Sequence, residues 1–266
     1  MKEKLIAIGR TAKVYKWEDE KVIKLFNKDI KKESIEKEYK ITKKLYENNI
    51  TNVKVFDLIE YENKTGIIFK NLKAKPMTKE ILYKPWKLKK LAFKLAETHN
   101  SILKYVDIKL PRTKEILKGE ILNSNYLPSS IKDKIIKHLE DLQIGNRICH
   151  GDFHPENILI SNKEFIVIDW MTASMGNPLA DVARTSLILK YGKLPDNNFF
   201  KNINLEIIRN ILYKNYINHY MNISRVNLDE IKEWEIVLAA TRLSENISEK
   251  EKELLNDYIR KNIEFI

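Results

Sequence analysis

The chain begins with short segments in which apolar and polar residues alternate. Residues 4–9 (KLIAIG), 12–19 (AKVYKWED) and 21–27 (KVIKLFN) follow this pattern and are separated by a glycine and an acidic turn. Alternation with a period of two is typical of half-buried strands, so these segments predict three antiparallel strands. Residues 53–62 (VKVFDLIEYE) and 64–72 (KTGIIFKNL) predict two more.

A helical period interrupts these strands and then dominates the rest of the chain. Residues 31–49 carry Ile35, Tyr39 and Tyr46 near helical spacing, which predicts a helix between the third and fourth strands. Further helices are predicted at residues 85–103, 129–142, 179–191, 204–221, 228–243 and 248–266. We therefore expect an α+β chain with a small antiparallel-sheet lobe at residues 1–72 and a larger, mostly helical lobe at residues 73–266.

One polar segment lies between two apolar runs of the second lobe. The sequence ICHGDFHPENILI at residues 148–160 places His150, Asp152, His154 and Asn157 within eight residues. Pro155 cannot continue a strand or a helix interior, so the polar middle predicts a sharp loop between two buried strands.

Three interpretations of this loop compete. A metal site formed by His150, Asp152 and His154 would need a helix to place the two histidines on one face, and Gly151 and Pro155 argue against a helix. A purely structural loop would use its Asn and Asp side chains to satisfy its own backbone. The third interpretation is a site completed by a second acid.

That second acid is Asp169, which ends the apolar run FIVID seventeen residues after Asp152. The segments NILI and FIVID, separated by SNKE, predict a hairpin that returns the chain to its start. We therefore expect two carboxylates and the Asn157 amide at one end of this hairpin. Hard oxygen ligands of this kind suit Mg²⁺, which proteins usually hold with one or two carboxylates and the phosphates of a substrate.

These motifs carry a family resemblance. HGDFHPEN has the His, Asp and Asn of a kinase catalytic loop at the kinase spacing, and IDW stands where the metal-binding D-F-G would be. With the following GNPLADVAR, the chain resembles the aminoglycoside phosphotransferase and choline kinase group of kinase-like enzymes, almost from end to end. The resemblance implies a bilobal protein-kinase-like fold and ATP-dependent phosphorylation of a hydroxyl on a small molecule.

The resemblance also assigns roles on the polar loop. It implies that Asp152 orients the acceptor hydroxyl and takes its proton, while Asn157 and Asp169 hold Mg²⁺. Asp181 resembles the structural aspartate that anchors the backbone of the catalytic loop. GTP in place of ATP is also compatible with the sequence.

In the first lobe, Lys24 stands where the phosphate-contacting strand lysine belongs. Its partner is expected to be a glutamate of the next helix, and we choose Glu38, with Glu36 and Glu33 as alternatives. The resembled family implies that this pair positions the lysine for the ATP phosphates.

The nucleotide site is completed by backbone groups. Gly9 is the single glycine left at the three glycine positions of the phosphate loop, in AIGRTAKVYK. The resemblance places the hinge at residues 69–72, where backbone groups of Lys70 and Leu72 would bond the adenine. The apolar side chains expected around the ring are Ile6, Val14, Ile23 and either Ile158 or Ile168.

Composition narrows the class of protein. Residues 1–150 hold 34 Lys and Arg against 20 Asp and Glu, which suits either a solvated lysine-rich surface or contact with phosphates. No nucleic-acid-binding motif accompanies the charge, and no apolar run approaches the length of a membrane span. The only cysteine, Cys149, excludes an internal disulfide and is expected to be a small buried residue. We expect a cytoplasmic protein, a monomer or weak dimer, with a small-molecule acceptor and with neither nucleic acid nor membrane as a partner.

Two other classes of function stay open. A protein Ser/Thr kinase is disfavoured because HGD replaces HRD and only a short segment follows Trp170 before the next helix. A non-catalytic kinase-like scaffold or nucleic-acid-binding protein would not need the converging acids. For the acceptor, Asp229, Glu230, Glu233 and Glu235 lie on one predicted helix, and an acidic lining there would favour a cationic alcohol such as an aminoglycoside or a choline-like molecule.

Overall fold

All five strands predicted near the start of the chain form and pair into one antiparallel sheet. They are β1 Leu5–Ile8, β2 Ala12–Lys16, β3 Lys21–Phe26, β4 Val55–Tyr61 and β5 Lys64–Lys70, in the spatial order β1-β2-β3-β5-β4. The predicted helix follows β3 as α1 Lys32–Glu47. This computed structural model describes residues 4–9, 11–192 and 205–266.

The described residues group into two compact units. One comprises Met1–Met77 and Glu156–Ala173, and the other comprises Thr78–Pro155 and Ser174–Ile266. The later strands are β6 Lys75–Pro76, β7 Arg147–Cys149, β8 Ile158–Ser161, β9 Glu164–Val167 and β10 Ser174–Gly176.

In the first unit the two faces of the sheet pack differently. On one face Phe26 of β3, Ile35 of α1 and Ile67 of β5 belong to a buried cluster, which joins the sheet to α1. On the other face Ile23 and Leu25 of β3 pack with other apolar residues of the sheet. Because side chains alternate along a strand, Lys24 lies on the face that carries α1.

The predicted hairpin also lies in this unit. Strands β8 and β9 pair antiparallel from Ile158↔Val167 to Ser161↔Glu164, and β6 pairs with the other edge of β8. The turn residues Asn162 and Lys163 both have positive φ, as expected for a tight hairpin turn. The hairpin therefore brings the residues before β8 next to those after β9.

The second unit is mostly helical. Its helices are α2 Met77–Tyr83, α3 Leu88–Ile102, α4 Thr113–Asn123, α5 Ser129–Asp141, α6 Pro178–Tyr191, α7 Leu205–Ser224, α8 Leu228–Arg242 and α9 Glu249–Asn262. The first residue of α2, Met77, is the last residue of the other unit's first segment. Strands β7 and β10 pair antiparallel. Buried Tyr216 and Trp234 are among the largest side chains of its core.

The prediction of an α+β chain with an antiparallel sheet and a helical part is confirmed. Each predicted helix has a counterpart, although Pro85–Lys87 forms a 3-10 turn ahead of α3. Helices α2 and α4 were not predicted. None of the helices in the described parts of the chain is both long and apolar enough to cross a membrane.

Candidate active site

Lys24 is held between two carboxylates within the first unit. Its Nζ lies 2.7 Å from Glu38 Oε1 on α1 and 3.4 Å from Asp169 Oδ1 after β9. The alternative partners lie elsewhere: Glu36 faces Lys40 on the exposed surface of α1, and Glu33 is in the exposed first turn. Of the three glutamates considered, Glu38 is the one that the structure pairs with Lys24.

The surroundings of Lys24 keep it charged. Burial alone would lower the pKa of Lys24, but the negative charges of Asp169 and Glu38 outweigh burial and raise this pKa above its ordinary value. The second carboxylate oxygen of Glu38, Oε2, is buried and has no hydrogen-bond partner.

The hairpin places Asn157 beside the segment that carries Asp169. The Ile168 N–H donates to the Asn157 carbonyl at 2.9 Å, immediately beyond the last paired residues of the two strands. Asp169 itself has φ 65° and ψ 62°, in the left-handed region that few non-glycine residues adopt. Such backbone conformations persist where surrounding structure imposes them, and they cluster at functional sites.

The oxygen atoms here suit a hard cation. Asn157 contributes an amide oxygen and Asp169 a carboxylate, both of the type that Mg²⁺ prefers. Within the described residues, no group of three or more His, Cys, Asp and Glu side chains is arranged to hold a metal ion. A site built from Asn157 and Asp169 would therefore need further oxygen ligands, which phosphates can provide.

In the second unit, Asp181 of α6 fixes the backbone of the polar loop. Its carboxylate accepts the His150 N–H at 2.6 Å and the Gly151 N–H at 2.7 Å. Gly151 has φ 79°, a backbone conformation that is energetically costly for any residue with a side chain. The sharp turn before Asp152 is therefore set by a glycine and by one buried carboxylate.

Asp181 is itself held by a buried histidine. His99 Nε2 lies 3.2 Å from Asp181 Oδ2, and His99 Nδ1 lies 2.7 Å from the Tyr216 hydroxyl. The His99 ring stacks on Phe153 with 3.9 Å between ring centroids. If Nε2 donates to the carboxylate and Nδ1 accepts from Tyr216, every polar atom of this group is satisfied. His99 is thus a buried histidine with both ring nitrogens in contact with a polar partner.

Asp152 lies between two nitrogen donors. His154 Nε2 lies 3.2 Å from Asp152 Oδ2, and Arg184 Nη2 lies 3.3 Å from Oδ1. Burial would raise the pKa of Asp152, but the hydrogen bond from His154 and the positive charge of Arg184 hold this pKa well below its usual range. The carboxylate is therefore ionised at every physiological pH.

The histidines of the loop have roles other than the alternative metal site. His150 Nδ1 accepts the Asp152 N–H at 3.2 Å, and His154 braces the Asp152 carboxylate. Cys149 is buried, as predicted, and burial raises the pKa of its thiol well above the ordinary value.

Two of the backbone amides expected near the nucleotide, those of Gly9 and Lys70, donate hydrogen bonds within the protein. The Gly9 N–H donates to the Ala12 carbonyl at 2.8 Å and closes the turn between β1 and β2. The Lys70 N–H donates to the Lys54 carbonyl at 2.9 Å, so the Lys70 carbonyl and the Leu72 amide are the better candidates for contacts with a base.

One expected contact with adenine is wrong. Ile23 is fully buried on the face of the sheet opposite α1, where it packs with Leu25 and Ile68. It cannot share a face with Lys24, because adjacent residues of a strand point to opposite sides. Val22, two residues before Lys24, is on the correct face.

The acids of α8 differ in their surroundings. Glu235 is fully buried and binds Lys190 Nζ at 2.7 Å. Glu230 completes the capping box of Asn227 at the start of α8, and Asp229 pairs with Lys232. Three of the four acids thus have defined partners inside the unit.

Arg184 is the residue of this site that the sequence reading missed. It lies on α6 three residues after Asp181, and positions three apart share one face of a helix. Since Asp181 anchors the polar loop, this spacing was a signal that Arg184 would reach the same loop.

Comparison with known proteins gives a consistent result. The model of the phosphotransferase enzyme family matches residues 2–201. A ternary complex of a thermostable mutant of aminoglycoside phosphotransferase APH(4)-Ia with AMP-PNP and hygromycin B is similar in structure, with TM-score 0.68 and 12% identity over 99% of this chain and 93% of that one.

Two further solved structures are similar. The amicoumacin kinase hAmiN in complex with AMP-PNP, Ca²⁺ and Ami has TM-score 0.62 and 16% identity, over 99% of this chain and 88% of that one. Choline kinase LicA from Streptococcus pneumoniae has TM-score 0.61 and 18% identity, over 100% and 94%. At these identities the likeness establishes the fold.

A shorter match concerns a much longer protein. Acyl-CoA dehydrogenase family member 11 from Homo sapiens and from Pongo abelii is 35% identical over 60 residues, or 21% of this chain. The chain spans about 8% of the length of these curated relatives. The family model, by contrast, covers most of the sequence, including Lys24, the polar loop and Asp169. The chain belongs to the phosphotransferase enzyme family.

Proposed function

We propose that this protein transfers the γ-phosphate of ATP to a hydroxyl of a small molecule in a Mg²⁺-dependent reaction. The observation that carries the proposal is the position of Lys24, whose ammonium contacts both Glu38 and Asp169. Lysine paired with a helix glutamate, next to a metal-binding aspartate, is the arrangement by which kinase-like enzymes hold the phosphates.

Residues 1–72 are proposed to bind the nucleotide. Lys24 contacts the phosphates, and Glu38 fixes the direction of its side chain. The backbone at Gly9 approaches the phosphates, while the Lys70 carbonyl and the Leu72 amide bond the adenine. The solved structures of hAmiN and APH(4)-Ia contain AMP-PNP, which supports ATP as the nucleotide.

Asn157 and Asp169 are proposed to hold Mg²⁺, which when bound would neutralise charge on the phosphates. Residues 73–266 are proposed to supply the acceptor site and the catalytic loop. Asp152, five residues before Asn157, receives the proton of the acceptor hydroxyl.

Phosphate transfer exchanges one bond to the γ-phosphorus for another. The acceptor oxygen forms a bond to the γ-phosphorus while the bond from that phosphorus to the bridging oxygen breaks, and ADP leaves with the electron pair. The acceptor proton passes to an oxygen of Asp152. Most of the rate acceleration would come from positioning and charge neutralisation.

The segment after Trp170 favours a small acceptor over a protein. Residues 174–176 form β10, which pairs with β7 directly before the catalytic loop, and α6 starts at Pro178. A peptide substrate would need a longer surface at this point. We therefore rank a protein kinase second.

Cationic alcohols are proposed as the first acceptors to test. The similar structures include a choline kinase and a complex with hygromycin B, both named for molecules that carry positive charge. Since three of the four α8 acids have partners within their unit, this ranking rests on the similar proteins alone.

A turnover screen tests the proposal. Purified protein with Mg²⁺ and ATP, or GTP, is offered aminoglycosides, choline, ethanolamine, thiamine, homoserine, methylthioribose and sugars, and nucleoside diphosphate release is measured with and without each acceptor. Acceptor-dependent release with a phosphorylated product in the mass spectrum is expected. Phosphorylation of a protein substrate alone would favour the second candidate.

A further inference from the structure

Arg184 connects the catalytic loop to the C-terminal part of its unit. Its Nη2 lies 3.3 Å from Asp152 Oδ1, and its Nη1 lies 2.6 Å from Glu245 Oε1 in the turn after α8. The Arg184 side chain is 13% exposed, so both contacts are largely shielded from water. A planar guanidinium that bridges two carboxylates fixes the distance and the angle between them.

Glu245 is itself held from behind. Its Oε2 lies 3.2 Å from Arg242 Nη1 at the end of α8, and Arg242 also pairs with Glu251 of α9. The charges alternate in sign along this series, from Asp152 through Arg184 and Glu245 to Arg242 and Glu251. Each buried charge therefore has an opposite neighbour, which burial of ions requires.

The charged groups that face Asp152 and Arg184 come from four segments of the unit. They are His150 and His154 in the loop, Arg184 of α6, Glu245 after α8 and Glu120 of α4. Burial would lower the pKa of Arg184, but Glu245, Asp152 and Glu120 raise it above the ordinary value. The guanidinium is thus a permanent positive charge beside Asp152.

The two donors hold the carboxylate from both sides. Arg184 contacts Oδ1 and His154 contacts Oδ2, so each oxygen of Asp152 has one defined donor from these side chains. Rotation of the carboxylate about its last bond is therefore restricted.

We propose that Arg184 is a positioning residue that holds the Asp152 carboxylate in its working orientation. The catalytic meaning of this inference rests on the proposed function, because it takes Asp152 as the group that receives the acceptor proton. The contact itself does not depend on that assignment.

Four variants test the inference. Arg184→Gln removes the charge, Arg184→Lys keeps it with a different geometry, and Glu245→Gln removes the second partner while leaving Arg184 in place. Arg260→Gln, at an exposed arginine of α9, is the matched control. Two readouts are used: kcat, and the ¹³C resonance of the labelled Asp152 carboxyl during a pH titration, assigned with Asp152→Asn.

For Arg184→Gln we expect kcat to fall and the midpoint of the Asp152 resonance to move up by roughly 1–3 pH units, because the carboxylate loses its positive neighbour. The KM for nucleotide should stay near the wild-type value. Arg184→Lys, Glu245→Gln and Arg260→Gln should keep the wild-type midpoint of the resonance, because the positive charge beside Asp152 remains. An Arg184→Gln protein that is less stable but has an unchanged titration would show a merely structural role and overturn the inference.

If Arg184→Gln does not fold, Arg184→Lys and Glu245→Gln decide the question. A shift of about one pH unit or more in either of them would contradict the inference. The resonance titration needs no turnover, so a wild-type protein that phosphorylates none of the acceptors would defeat the proposed function while Arg184 is still tested.

Discussion

The ammonium of Lys24 lies 2.7 Å from the carboxylate of Glu38, fourteen residues later in the chain. The first prediction concerns the lysine. Lys24→Ala should keep the fold but strongly weaken nucleotide binding or slow turnover, since the phosphates lose their charged contact. Lys28→Ala and Lys31→Ala, at exposed lysines, should change either quantity little. Isothermal titration calorimetry with nucleotide measures the affinity of each variant. Equal affinity and turnover of the Lys24 and Lys28 variants would mean that the wrong lysine was chosen.

The second prediction concerns the glutamate. Glu38→Gln removes one of the two negative charges that face Lys24, so the lysine should turn toward Asp169 and turnover should fall. Glu36→Gln is the control on the same helix, because Glu36 faces Lys40 at 3.4 Å on the surface. Steady-state kinetics at saturating nucleotide compares them. A Glu36 variant as impaired as the Glu38 variant would contradict this assignment.

The third prediction concerns Asp181 and stability. Asp181→Asn disrupts hydrogen bonds to the His150 and Gly151 amides, and each bond to a charged group is worth roughly 1.5–3 kcal/mol. Denaturant unfolding at neutral pH should therefore show a marked loss of stability. Asp229→Asn, on the exposed surface, is the control and should unfold like the wild type.

Asp181 also makes a prediction for the pH dependence of stability. Burial would raise its pKa, but the hydrogen bonds from His99 and from the His150 backbone N–H hold this pKa below the ordinary value. A depressed pKa stabilises the fold above the unfolded-state value of about 3.9, and this contribution is lost as the pH falls below it. Asp181→Asn should lack this component of acid destabilisation. A wild-type and a variant protein that lose stability in parallel below pH 4 would contradict the prediction.

Short-range sequence patterns predicted the end of the site that holds Asn157 and Asp169. The hairpin needs only two apolar runs and a turn, and once it forms, Asn157 and the segment of Asp169 must be neighbours. The alternation of β3 likewise fixes the face of Lys24. The same rule excludes Ile23 from that face. The expected contact of Ile23 with adenine could therefore have been rejected from the sequence alone.

Other features depend on packing between distant segments. The contact of Arg184 with Glu245 joins residues 61 positions apart, which no local period reveals. The acids of α8 looked alike in the sequence, yet Glu235 is buried against Lys190 and Glu230 caps the helix. Helix α4 was missed because only three of its residues, Thr113, Leu117 and Ile121, are buried, and because it contains Gly119, a poor helix former.

The central claim is that Asp152 accepts the proton of the acceptor hydroxyl while Asp169 binds Mg²⁺. Nucleotide titration at several Mg²⁺ concentrations, together with turnover measurements, tests this claim most directly. Asp152→Asn cannot accept a proton, so turnover should fall by roughly 10²–10⁴ while nucleotide affinity barely changes. Asp169→Asn removes a charge from the metal site, so Mg²⁺-dependent nucleotide binding should weaken along with turnover, and higher Mg²⁺ should partly restore both. Lost nucleotide affinity in Asp152→Asn together with unchanged affinity in Asp169→Asn would contradict the account.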